Sequence, residues 1–61
     1  MPTKKIKALV LDDEKLVRDF LCRFLKLEGI EAKAVENGSQ AIAAAKQEKF
    51  NIVLFEMSLT D

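Results

Sequence analysis

Two short apolar runs frame this chain, and each ends in acid. Ile6 to Leu11 is apolar apart from Lys7 and leads straight into Asp12-Asp13-Glu14. Asn51-Ile52-Val53-Leu54-Phe55 leads in the same way into Glu56. Short apolar runs bounded by polar residues predict strands buried on both faces, as in a parallel sheet. After the first run, Leu16, Val17, Phe20, Leu21, Phe24, Leu25 and Leu27 fall within one half of a helical wheel. Lys15, Arg18, Asp19, Arg23 and Lys26 lie on or beside the other half, and Cys22 falls there too. The pattern predicts a helix from about Glu14 to Glu28. Asp12 or Asp13 would cap its start, Glu14 would suit its first turn, and Gly29 would close it.

Ile30 to Val35 alternates, with Ile30, Ala32 and Ala34 set against Glu31 and Lys33. That predicts a strand with one wetter face, in the edge position where lysine and glutamate discourage stray pairing. Asn37-Gly38-Ser39 predicts a turn and a helix start. The alanine-rich stretch from Gln40 to Glu48 then forms a helix, with Ile42 and Ala45 expected to face inward. Strand and helix alternate through short connections, so the strands should be parallel and joined by right-handed crossovers, an α/β arrangement. Ligand sites in such sheets lie beyond the carboxyl ends of the strands. Asp12, Asp13 and Glu56 therefore converge on one sheet edge.

Adjacent carboxylates at the end of a buried strand repel one another and resist desolvation unless a cation intervenes. Mg²⁺, a hard cation that takes oxygen ligands, fits that need. A dinucleotide site would call for glycines after the first strand, and this chain has acids there. Metal-assisted phosphoryl transfer is compatible with the acids. Taken singly, Asp13 reads as a helix cap and Glu56 as a solvated strand-end acid; the three together favour a metal site.

Composition narrows the field further. At 61 residues the chain is one small domain, residues 1–61, of a size that buries only about 60% of its unfolded surface. A single cysteine and no histidine exclude an internal disulfide and give no zinc pattern. Ten basic and ten acidic residues cancel, so charge supplies no case for nucleic acid or an acidic membrane surface. Lys4, Lys5 and Lys7 read as a solvated lead-in to the first strand. No long apolar segment follows Met1, and a cytoplasmic protein is expected.

The stretch Leu9 to Leu21, with Asp12-Asp13-Glu14 followed by Val17-Arg18 and Leu21, resembles the opening of a bacterial response-regulator receiver domain. Asn37-Gly38 followed by Ala41-Ile42 is similar to that family's second-helix signature, and Asn51 to Phe55 to its third strand. The resemblance covers essentially the whole chain and the first half of a receiver. It implies a three-layer, flavodoxin-like half-fold, β-α-β-α-β, with strands in the order 2-1-3. It implies that Asp13 ligates Mg²⁺ directly, Asp12 largely through water, and the backbone carbonyl of Ser58 supplies a further ligand. Glu56 takes the phospho-acceptor position, where the family has aspartate. Its extra methylene moves the carboxylate by roughly 1.5 Å, a displacement that can cost about a hundredfold in rate. Thr60 stands where the family usually has proline. The family's switch threonine or serine and its later lysine have no counterpart up to Asp61.

These readings lead to a phosphorelay receiver module, truncated after the third strand, weak or inactive in phosphotransfer, and not an enzyme. It would act through self-association or partner binding, with a histidine kinase or other signalling protein as partner. The third strand would lie on an open, apolar edge, which predicts a homodimer through that edge or by exchange of elements. The alternative is an assembly fragment whose acids are vestigial. A small Mg²⁺-dependent phosphatase or transferase ranks third, since no histidine or later lysine is available as acid or charge stabiliser.

Overall fold

A computed structural model describes residues 5–56, with the side chain of Glu56 excluded. Five elements alternate along the chain: β1 (Lys7–Asp12), α1 (Lys15–Leu27), β2 (Glu31–Val35), α2 (Gly38–Gln47) and β3 (Ile52–Glu56). The strands are parallel and lie in the order β2-β1-β3, as the resemblance implied.

Successive side chains of a strand point to opposite faces, so β1 in the centre must feed two cores at once. Ala8 and Val10 are buried against Leu25 of α1, with Leu21, Cys22, Ile30, Ala32 and Leu54 packed around them. Leu9 and Leu11 are buried on the other face with Val35 and Ala44 of α2, flanked by Ala41 and Phe50. β2 is an edge strand with Glu31 and Lys33 exposed, but its alternation is only partly kept: Ala34 is exposed too, and Val35, on the same face as Glu31 and Lys33, is buried.

Local chemistry fixes the element ends. After α1, the Ile30 N–H donates to the Leu25 carbonyl at 2.9 Å and the Gly29 N–H to that of Lys26 at 3.0 Å. This paired closure needs a left-handed residue, and Gly29 has φ 81°. Asn37 caps α2 by accepting the Gln40 N–H at 2.9 Å, while Gln40 Oε1 reaches back to the Glu36 N–H at 3.0 Å. That reciprocal pair satisfies two amides at the helix start. Asn51 clamps the entry of β3 to β1. Its N–H donates to the Lys7 carbonyl at 2.8 Å, and its Oδ1 accepts the Lys7 N–H at 2.9 Å.

Four expectations need correction. Cys22 lies on the packed side of α1, because the helix turns its face toward β2 and away from the centre of its apolar arc. Burial then raises the thiol pKa above its ordinary value. In α2 the inward residues are Ala41 and Ala44; Ile42 is 61% exposed and Ala45 is exposed, since only the smallest side chains let this helix approach the sheet. α1 starts at Lys15, with Glu14 at its N-cap making no side-chain cap. β3 is only partly a core element: Leu54 is half-buried, while Ile52, Val53 and Phe55 are exposed. Among the described residues, both helices pack on β1 and β2 and neither lies over β3.

Glu48, which ends α2, ties the helix to the sheet through ion pairs with Lys7 (2.6 Å) and Lys33 (3.3 Å). The Lys7 ammonium, and then that of Lys33, hold the Glu48 carboxyl below the ordinary glutamate range, and Glu48 in turn raises Lys7. A lowered carboxylate stabilises the fold above the unfolded glutamate pKa, and this is lost as pH falls through the lowered folded value. Thermal unfolding across pH should therefore show Glu48→Gln slightly below the native chain at neutral pH. The two curves should converge in acid.

Candidate functional site

The carboxyl ends of β1 and β3 are brought together by pairing: Asp12 is the register partner of Glu56. Asp12 is 4% exposed, the only charged residue among the buried ones described. Its place follows from β1 parity, which puts it on the same face as Ala8 and Val10, beneath the start of α1. The carboxylate is not left without a donor. Oδ1 accepts the Glu14 N–H at 2.9 Å, a local Asx-type turn that takes the place of a helix-capping side chain. The Asp12 backbone carbonyl accepts from an Arg18 guanidinium nitrogen at 2.8 Å. The β1–α1 turn is thus fastened twice, once by Asp12 itself and once from the second turn of the helix.

Asp13 and Glu14 follow on the exposed side of the turn. Asp13 lines a crevice of about 350 Å³ together with Leu11, Glu36, Asn37, Gly38 and Phe55. The crevice lies beyond the strand ends, between β1, β3 and the start of α2, where parallel α/β sheets bind their ligands. The α2 N-terminus, with its positive end of the helix dipole, opens into the same space.

Asp12 and Asp13 therefore stand where the sequence placed them, one buried and one facing the crevice. The Glu56 side chain and Ser58 lie outside the described residues, as does Thr60. Among the described residues, no group of three acids, cysteines or histidines is gathered as metal ligands. The pair at the end of β1 offers carboxylate oxygens only, the donor chemistry of a hard divalent cation. Arg18 is the residue that the sequence reading missed. The helical wheel sets it on or beside the polar half of α1, yet it is half-buried with its guanidinium at the turn. Its place one wheel step from Leu21 was the available signal.

Comparison with known proteins gives the same family. The profile of the response regulator receiver domain matches residues 8–61. The chain is 32% identical over 57 residues to the transcriptional regulatory protein ResD of Bacillus subtilis (strain 168), an alignment covering 93% of this chain and 24% of that protein. It is 33% identical over 55 residues to the regulatory protein VanRc of Enterococcus gallinarum, covering 90% of this chain and 24% of the relative. The chain thus spans about a quarter of the length of these curated relatives. No solved structure matches it. Among the described residues, no helix is long and apolar enough to cross a membrane.

Asp12→Asn keeps an oxygen acceptor for the Glu14 N–H and removes a buried charge, whereas Asp12→Ala leaves that N–H without its partner. In urea denaturation without added metal, Asp12→Ala should lose about 1 kcal/mol or more. Asp12→Asn should be at least as stable as the native chain. Equal losses in both variants would show that the charge, rather than the acceptor, holds the turn.

Proposed function

The chain belongs to the response-regulator receiver family, and on that footing we propose that it is a phosphorelay signalling module, not an enzyme, with a weakened acceptor site. The single observation that carries this reading is the juxtaposition of Asp12 and position 56 at the carboxyl ends of adjacent parallel strands. In this reading Asp12 and Asp13 hold Mg²⁺, with Ser58 contributing its backbone carbonyl, and Glu56 stands at the acceptor position. The ion, when bound, would screen the acids and offset charge on a transferring phosphoryl group. Asp12 is held in place by the Glu14 N–H, and Arg18 fixes the turn from which Asp13 faces the crevice.

Glu56 weakens the acceptor because its carboxylate projects further than that of aspartate. The module then acts in the cytoplasm through self-association or through contact with a histidine kinase or another signalling protein. The second reading, an assembly unit with vestigial acids, draws support from one feature: Asp12 already has a structural task in the turn.

The two readings part on incubation with a small acyl phosphate and Mg²⁺, followed by intact mass. The native chain should gain little phosphoryl mass, and Glu56→Asp should label on the order of a hundredfold faster. Adding Asp13→Asn to Glu56→Asp should abolish the labelling. No labelling of Glu56→Asp at any Mg²⁺ concentration would reject the receiver-site reading and leave the assembly unit.

A further inference from the structure

Asp13 faces the crevice from between β1 and α1 and belongs to neither element. The direction of its side chain is therefore set by the two peptide groups that flank it, since their planes fix its φ and ψ. The peptide before Asp13 carries the Asp12 carbonyl, which accepts from an Arg18 guanidinium nitrogen at 2.8 Å. The peptide after it carries the Glu14 N–H, which donates to Asp12 Oδ1 at 2.9 Å. One flanking plane is thus held by Arg18 and the other by Asp12.

Arg18 also grips the chain a second time. Its backbone N–H donates to the Glu14 carbonyl at 3.0 Å, the bond that opens α1 at its N-cap. One residue therefore holds residue 12 through its side chain and residue 14 through its backbone, with Asp13 between them. The β1–β2 ladder stops at Leu11 and Val35, one residue short of Asp12. The guanidinium supplies a donor just where that pairing ends. Its base is firm, because α1 is seated on β1 through Leu25.

We propose that Arg18 is a positioning residue of the acidic site. By holding the peptide between Asp12 and Asp13, it directs the Asp13 carboxylate into the crevice and raises its affinity for a divalent cation. This role rests on the cation reading of the acids given above.

Electrostatics alone would give the opposite sign. A guanidinium repels an incoming cation, so by charge alone its removal would tighten binding. Positioning acts the other way: without Arg18 the peptide before Asp13 can turn, and the cation must order it on binding. At physiological ionic strength, repulsion between exposed charges is largely screened beyond about 8 Å. Ordering the backbone of one residue is worth on the order of tenfold in affinity. Positioning is the larger effect.

The test is a Mg²⁺ titration of the full chain at physiological ionic strength, followed by amide NMR. Arg18→Met keeps the length of the stem but removes donor and charge together. It should weaken Mg²⁺ binding about tenfold. In the metal-free chain the same variant should speed hydrogen exchange at the Glu14 amide. Its circular dichroism should match that of the native chain, since Arg18 belongs to neither buried cluster. Arg18→Lys keeps the charge and one donor, and should regain part of the lost affinity. Glu48→Gln loosens the fold at the start of β1, where Glu48 pairs with Lys7, and should leave the affinity unchanged. That control separates positioning from a general loss of stability. An Arg18→Met chain that binds Mg²⁺ as tightly as the native one, or more tightly, would overturn the positioning role and leave the cation reading standing. A native chain with no saturable Mg²⁺ response at Asp13 would overturn the cation reading itself, and the role of Arg18 with it.

Discussion

Everything in this fold hangs on β1 being buried on both faces. A strand in that position can carry only apolar side chains along its length, and Ala8, Leu9, Val10 and Leu11 are all nearly inaccessible. Alternation divides them between α1 and α2, and pairing on both sides fixes the register of β2 and β3. Asp12, the last residue of β1, therefore sits buried next to the end of β3. The burial of Asp12, at 4% exposure, is a consequence of its place at the end of the central strand.

Asp12 has a structural task in the turn that follows β1. Its Oδ1 replaces the missing side-chain cap of α1, and Arg18 secures the same turn through the backbone carbonyl. The turn is thus stiffened before any ligand arrives, which is what presentation of Asp13 to the crevice requires. α2 contributes from the other side, where Asn37 and Gly38 line the crevice and the Asn37–Gln40 cap fixes the start of the helix.

The elements, their order and the edge position of β2 were legible in the sequence, because each rests on periodicity that survives without tertiary knowledge. The parallel order 2-1-3 needed the receiver resemblance, since apolar runs alone do not say which strand lies in the middle. What periodicity could not give was the direction in which α1 leans. The helix sits over β1 and β2, so it buries the side carrying Leu21, Cys22 and Leu25 and leaves Phe20 and Phe24 exposed. The same ambiguity hid Arg18 at the edge of the packed face. In α2, hydrophobicity pointed to Ile42, but closeness of approach decided for Ala41 and Ala44. The strand β3 reads as core because its residues are apolar, yet burial depends on what lies over it. The placement of Asp12 and Asp13 at the end of β1 was legible from the apolar run before them, whereas the Asx turn was not, because it depends on the backbone path after β1.

The central claim is that the acids at the ends of β1 and β3 form one cation-responsive site. Two-dimensional amide NMR during a Mg²⁺ titration tests it most directly. The account predicts saturable shifts confined to Asp12, Asp13, Glu14 and the amides around position 56, absent with Asp13→Asn and unaltered by Phe20→Lys. Uniform small shifts across the acidic surface, with no saturation and no dependence on Asp13, would contradict it.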